Sequence, residues 1–527
     1  MLRSSSFGIW ALLASFAVGA SENITLPDFG RSANAGISER EENAYGLSVL
    51  RQLRNAGVLI EDPQLAEYLR TLGTRLGEAS DQPEQRFTMV LLRDSSFNAF
   101  AVPGGVIAVH SGLVLAALRE SELAAVLAHE TAHVTQKHIV RAMERSQKAS
   151  IPIMLGTIAA IAASSQAGSS SGNLGEAAMV SGMALMQQLQ INFTRDNEFE
   201  ADRIGIQTLQ RAGFEVSAMA AMFMRMQSNF RTVGLGGAPP QYLQSHPIST
   251  TRIAEAKARA QALIALPARN CATPDTAASC DSEVRFSLMR ERVRVLEGGN
   301  SAELVKFYRD GLADRGDSLA LQYGLALSLS RAGKQQQAGD LTDRLLNLHS
   351  AADLQLTLQL LRAEIAVEAR EQAVWQPLYA KLLSSHPRHR VVGSSYAAAL
   401  LSLGSKASGT EALGILRDLT LTFVNDPSLY EQLGRAYQLA GDEIRAGESY
   451  AQATALRGAL EDALLQLETL ARRPQLDYYG RARLDALIAE ITPIVLEIRE
   501  AKGESARTNA RPTAGASLRT ELHRHSD

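Results

Sequence analysis

The sequence predicts an α+β domain followed by an all-helical region, on three observations. Apolar periodicity switches from helical to strand-like and back within residues 39–145. Strand signals vanish beyond about Val284. The helical stretch after that point carries recurring Gly, Ala and Tyr positions that read as stacked helix pairs. At 527 residues the chain exceeds what one core usually organises, so two or more domains are expected. Ala and Leu are abundant and aromatics make up 5%, which favours helix over sheet. A net charge of -3 offers no concentrated basic surface, so a nucleic-acid partner is not expected.

Taken in order, Met1-Leu2-Arg3, the apolar run Phe7 to Ala20 and the small residues Val18-Gly19-Ala20 read as a cleavable secretory signal over 1–20. Residues 21–38 form an extended arm containing Pro27 and several Gly and Ser. Helices are expected at Glu39 to Asn55 and at Pro63 to Ser80, where Leu65, Tyr68, Leu69, Leu72 and Leu76 share a face. Arg86 to Arg93 and Phe97 to His110 are strands, the second interrupted by a Pro103-Gly104-Gly105 turn. Ser121 to Arg145 returns to helix. The apolar run Ile151 to Ala163 and the Gly/Ser-rich stretch Ser164 to Gly175 read as a core helix and a surface loop, or as a mobile flap. Further helices run from Phe193, from Val216 to Phe230 and from Thr250 to Ala265, with a loop at Gly234 to Pro240. The first domain thus spans 39–265.

Residues 266–283 form a linker holding the two cysteines, Cys271 and Cys280, for which an oxidising compartment favours a small disulfide loop over two free thiols. Over 284–500, Tyr430, Leu433, Gly434, Tyr437, Gly441, Ala446, Tyr450 and Ala453 fit the tetratricopeptide pattern. Looser copies start near Gly324 and Tyr396. Residues 501–527 read as a disordered tail.

The chemistry concentrates at His129-Glu130-Thr131-Ala132-His133. Histidines four apart on a helix leave one face a turn apart, so both imidazoles converge on one metal ion, while Glu130 beside them suits the role of general base. A catalytic zinc takes three protein ligands and keeps an open position for water. His110, His138 and His246 are candidates for the third ligand, as is the acidic helix Asn197 to Asp202. There Glu198 and Asp202 share a face, an arrangement that would let Glu198 ligate while Asp202 holds a ligating histidine from behind. The pattern points to metal-assisted peptide hydrolysis.

Together the His motif through Arg141, Asn197 to Gly213, Asn98-Ala99-Phe100-Ala101, Leu26-Pro27-Asp28 and Ser245-His246-Pro247 resemble the gluzincin family of type-I CAAX prenyl proteases and HtpX-like heat-shock proteases. The likeness is greatest to its periplasmic members with C-terminal tetratricopeptide repeats. It implies a zincin-like metallopeptidase domain followed by an all-α tetratricopeptide-repeat solenoid. One Zn2+ is then held by His129, His133 and Glu198, with Glu130 as base and Asp202 as proton donor or support. His246 falls where those members place a histidine able to approach the metal and keep the site closed. Asn98 to Val102 match an edge strand along which a peptide lies, with Asn98, Ala99 and Phe100 as its substrate-binding residues, and Arg252 is expected at a substrate carbonyl or developing oxyanion. The partners implied are unfolded or stalled outer-membrane β-barrel proteins and the β-barrel assembly machinery, in the periplasm, with peripheral membrane contact. A rival expectation is a chaperone or scaffold whose peptidase is mostly latent. A structural zinc site is disfavoured, because such sites are Cys-rich and closed.

Overall fold

The computed structural model describes residues 37–145, 195–233, 242, 246–263 and 274–509. The expected signal segment, Leu26-Pro27-Asp28, the stretch 151–190, the loop 234–240, Ser245, Cys271, the side chain of Cys280 and the tail from 510 lie outside the described residues. Helix α1 (Glu39–Asn55) starts at a capping box: the Glu41 amide donates to the Ser38 hydroxyl and the Ser38 amide donates to the Glu41 carboxylate. Helix α2 (Pro63–Glu78) is capped by Asp62, which accepts from the Leu65 amide, with Pro63 at the first position. Its buried residues include Leu65, Tyr68, Leu69, Leu72 and Leu76, the expected face.

The sheet is small. Strands β1 (Thr88–Leu92), β2 (Ala99–Val102) and β3 (Val106–His110) lie in the order β1-β3-β2, with β3 parallel to β1 and antiparallel to β2. The β2–β3 turn needs its glycines. Gly104 and Gly105 sit at φ 83° and 78°, and a Cβ on Gly104 would stand 2.4 Å from the Glu42 carbonyl. Among the described residues β2 pairs on one side only. The His110 amide donates to the Asn98 carbonyl, so Asn98–His110 is a hydrogen-bonded pair. Alternation then turns the main-chain groups of Phe100 and Val102 toward β3 and leaves those of Ala99 and Ala101 facing outward.

After α3 (Ser111–Ala116) the helix expected at 121–145 is two helices, α4 (Glu120–Thr135) and α5 (His138–Arg145). They are separated at Lys137, whose φ of 51° redirects the chain. Helix α4 is buried on all sides, from Leu123 to His133. Helix α6 (Arg195–Arg211) lies against it, and Gly205 permits the approach: a Cβ there would stand 3.2 Å from the His129 amide nitrogen. Helices α7 (Ala218–Val233) and α8 (Thr250–Leu263) complete the N-terminal region.

The helical part begins earlier than expected. Helix α9 (Pro274–Glu297) takes up the second half of the stretch assigned as linker, where Pro274 suits a first helical position and the Ala-containing sequence tolerates helix once packed. The helices that follow are Ser301–Arg315 (α10), Leu319–Arg331 (α11), Gln335–Leu348 (α12), Ala352–Glu368 (α13), Gln372–Ser385 (α14) and Arg390–Ser402 (α15). Lys406–Thr422 (α16), Pro427–Ala440 (α17), Glu443–Leu456 (α18), Leu460–Ala471 (α19) and Tyr478–Asn509 (α20) end the series. Helix α20 continues beyond residue 500 because the segment is rich in Ala, Lys, Glu and Arg, all good helix formers. From α10 on each helix packs on the next, and α9, α11, α13, α15 and α17 also touch one another in turn.

Ion pairs tie this region to the first. Arg292 of α9 is buried and grips Asp62 through Nε (2.8 Å) and Nη2 (2.7 Å) while reaching Glu364 of α13 at 3.0 Å. Arg54 donates to the carbonyls of Asn425 and Leu456. Glu120, at the start of α4, meets Tyr68 Oη (2.9 Å), Ser282 and, through its own amide, Glu283. Burial raises the Glu120 carboxyl to about 7, against the lowering effect of the Tyr68 hydrogen bond. A folded pKa above the unfolded value of 4.5 means that its stabilising contribution is complete below that value and lost as pH rises through 7. Glu120→Gln is therefore expected to be more stable than wild type at pH 8, by on the order of 3 kcal/mol. At pH 4.5 the two should melt alike. Thermal melts at both pH values check this.

Candidate metal centre

Two packed helices and the entry to a third deliver the site. Helix α4 contributes His129, Glu130 and His133, helix α6 contributes Glu198 and Asp202, and the segment leading into α8 contributes His246, with Arg252 on α8 itself. All are buried. One ligand atom from each of His129, His133, Glu198 and His246 fits within a sphere of mutual distances below 4.8 Å.

These separations test whether a metal fits. Ligands about 2.0–2.1 Å from a tetrahedral zinc stand about 3.3 Å from one another. His129 Nε2 and His133 Nε2 are 3.0 Å apart. His129 Nε2 is 3.5 Å from Glu198 Oε2, and His133 Nε2 is 3.4 Å from Glu198 Oε1. His246 Nδ1 is 3.0 Å from Glu198 Oε1. The donor set, three imidazoles and a carboxylate, is one that zinc accepts, and these separations lie near the edge length of its coordination tetrahedron.

Burial works against charge at every group, and the neighbours decide which keep it. Burial raises the Glu198 carboxyl, but His246, His129 and His133 hold it well below its usual value. Burial likewise opposes Asp202 ionisation, and Arg252 and His129 reverse it. His129 is lowered by burial yet lifted to about 9 by Asp202 and Glu198. His133 is pushed far down by burial. Glu130 is raised by burial, which His246 and His129 only partly oppose. A buried carboxylate with enhanced proton affinity is suited to accept a proton.

Behind the ligand atoms stand two holding groups. Asp202 Oδ1 lies 3.0 Å from His129 Nδ1, and Arg252 grips Asp202 through Nε and Nη2, both at 2.7 Å. Arg252 Nη1 also reaches Glu198 Oε2 at 2.7 Å and the Pro247 carbonyl at 2.9 Å. Arg252 was expected at a substrate carbonyl. Its donors are instead spent on fixed groups of the buried cluster, because its partners arrive from a helix fifty positions away. On the other side, His138 Nδ1 is 2.9 Å from His133 Nδ1, and His138 Nε2 is 2.9 Å from Glu200 Oε2. His138 was a candidate third ligand, and the structure places it behind His133. His110, the other candidate, is a core histidine whose Nδ1 bonds Ser96 Oγ (2.8 Å) beside Asp94.

His246 occupies the fourth side of the cluster. Its ring stacks on Tyr242 with centroids 4.7 Å apart, and its Nε2 is 3.7 Å from Glu130 Oε1. Asn98, Ala99 and Phe100 lie at β2, where the outward amide of Ala101 acts on the Glu130 carboxylate, so the free edge of the strand runs beside that residue.

Comparison with known proteins agrees with this geometry. The model of peptidase family M48 matches residues 63–260. The β-barrel assembly-enhancing protease of Yersinia pestis is 32% identical over 472 residues, covering 88% of this chain and 91% of that protein. That of Escherichia coli K12 is 32% identical over 473 residues, covering 89% and 91%. A putative β-barrel assembly-enhancing protease of Vibrio cholerae is 42% identical over 245 residues, 46% of this chain and 49% of that protein. With near-full-length relatives of this kind and a buried His/Glu cluster fit for a divalent metal, the chain belongs to peptidase family M48 and is a metalloendopeptidase.

Proposed function

We propose that the chain is a periplasmic zinc endopeptidase that removes stalled outer-membrane β-barrel proteins and assists their assembly. The observation that carries the catalytic part is the 3.0–3.5 Å spacing of the His129, His133 and Glu198 ligand atoms with Glu130 alongside. Bound zinc supplies a Lewis acid that activates water and polarises a carbonyl. Glu130 takes the proton of the attacking water and hands it to the leaving amide nitrogen. Asp202 is a holding group for His129 and not a proton donor, since Arg252 keeps it ionised. Arg252 in turn orients both carboxylates.

Substrate recognition follows from the β2 edge. An extended peptide adds to it through the outward main-chain groups of Ala99 and Ala101, with Asn98 and Phe100 flanking. Edge addition demands little of the peptide sequence and favours chains with unpaired strands, as in an unfinished barrel. The names of the full-length relatives support that client class. The signal-like N-terminus supports the periplasm, and among the described residues no helix is long and apolar enough to cross a membrane. The region 284–500 serves as tetratricopeptide-like repeats that recruit clients or the assembly machinery. The alternate-helix contacts from α9 to α17 favour this, as does Gly434, which seats the Tyr450 ring.

His246 acts as a closing fourth ligand, occupying the position that water needs. His246→Ala is expected to raise cleavage of an unfolded outer-membrane barrel on the order of tenfold, as the competent fraction rises. The same barrel folded in micelles should stay intact. Equal cleavage of both forms would contradict the client class, and unchanged activity in His246→Ala would contradict the closure. The buried position of His246 also favours a second reading, a scaffold with a latent peptidase. Full restoration of barrel assembly by Glu130→Gln in cells would support it.

A further inference from the structure

We propose that His138 and Glu200 are positioning residues that hold His133 in the tautomer whose Nε2 is free to bind metal. This rests on the zinc reading above. Glu200 is a carboxylate 3.4 Å from Arg141, and an ionised carboxylate only accepts hydrogen bonds. Its Oε2 lies 2.9 Å from His138 Nε2, so the ring hydrogen of His138 sits on Nε2. A neutral imidazole carries one ring hydrogen, so with that hydrogen directed at Glu200 the His138 Nδ1 is the acceptor. That Nδ1 lies 2.9 Å from His133 Nδ1. Two nitrogens at this distance share one hydrogen, and here it belongs to His133. With its hydrogen on Nδ1, His133 presents a bare Nε2, the atom that stands among His129 Nε2 and the Glu198 oxygens.

The chain Arg141–Glu200–His138–His133 thus sets a direction for every hydrogen along it. Reversed at Glu200, the same contacts would put a hydrogen on His133 Nε2 and block the ligand position. His129 is served differently, by a carboxylate placed directly at its Nδ1. The turn at Lys137 makes the relay possible, because it starts α5 at His138 and folds that ring back over His133.

The test compares His138→Leu with His138→Gln in the full chain. Glutamine offers an oxygen to His133 and an N–H to Glu200; leucine offers neither. Zinc affinity, measured by chelator competition at one pH, is expected to fall about 10–100-fold in His138→Leu and to stay near wild type in His138→Gln. Nitrogen NMR of the metal-free, ¹⁵N-histidine-labelled protein should find His133 protonated at Nδ1 in wild type and in His138→Gln. A purely structural role would lower the melting temperature of His138→Leu without moving zinc affinity. Wild-type affinity in His138→Leu, equal loss in both variants, or a hydrogen on His133 Nε2 in the wild type would overturn the proposal. A wild type that binds no zinc would sink the metal reading instead, and the NMR tautomer would still decide this one.

Discussion

Glu130→Gln is expected to reduce peptide hydrolysis by about 10³-fold or more while leaving the fold and the metal content intact. The side chain is buried beside the ligand cluster, and burial raises its proton affinity. Glutamine keeps the volume, yet it takes up no proton. What is lost is the acceptor for the hydrogen of the attacking water and its delivery to the leaving nitrogen. Initial rates on an unfolded barrel protein, taken with metal analysis of the same preparations, check this. A variant that retains a tenth of wild-type activity would place the base elsewhere.

Glu198→Ala is expected to weaken zinc binding by about 10³-fold or more, the largest effect of any single substitution at the centre. Glu198 is in contact with His129, His133, His246 and Arg252 together. Its removal deletes the anionic ligand. It also leaves the Arg252 guanidinium, 2.7 Å from that carboxylate, facing the cation without a screen. Because metal bound to the native state adds to stability, chelation should destabilise wild type by about 4 kcal/mol when free zinc had stood a thousandfold above its dissociation constant. Glu198→Ala should melt at the same temperature with and without chelator. A chelator-sensitive melt in the variant would show that the metal is held by other residues.

The ligand helices were legible because helical spacing converts directly into geometry. His129 and His133, like Glu198 and Asp202, stand four apart, and each pair emerges on one face toward the other helix. The face of α2 and the Gly104-Gly105 turn were legible for the same kind of reason, a local period or a local backbone need. What spacing could not give depends on contacts between distant segments. Arg252 looked available for substrate until its partner Asp202 came into view. His138 looked like a ligand, since nothing in its neighbours announces that Lys137 turns the chain at φ 51°. Glu200 went unremarked although it sits in the same acidic segment, because its role exists only through His138. Asn98 and Phe100 were placed along the peptide path, whereas the outward main-chain groups are those of Ala99 and Ala101. That distinction is one of strand register. His246 was one of three candidate histidines, family resemblance alone singled it out, and its contact with Glu198 gives that choice a physical basis.

A zinc centre built from His129, His133 and Glu198 with His246 closing it is open to X-ray absorption at the zinc edge of the purified chain. Four nitrogen or oxygen ligands at about 2.0–2.1 Å, imidazole scattering that diminishes in His246→Ala, and no sulfur are expected of such a centre. Sulfur ligation, a six-coordinate oxygen shell or a spectrum unaltered by His246→Ala would contradict it.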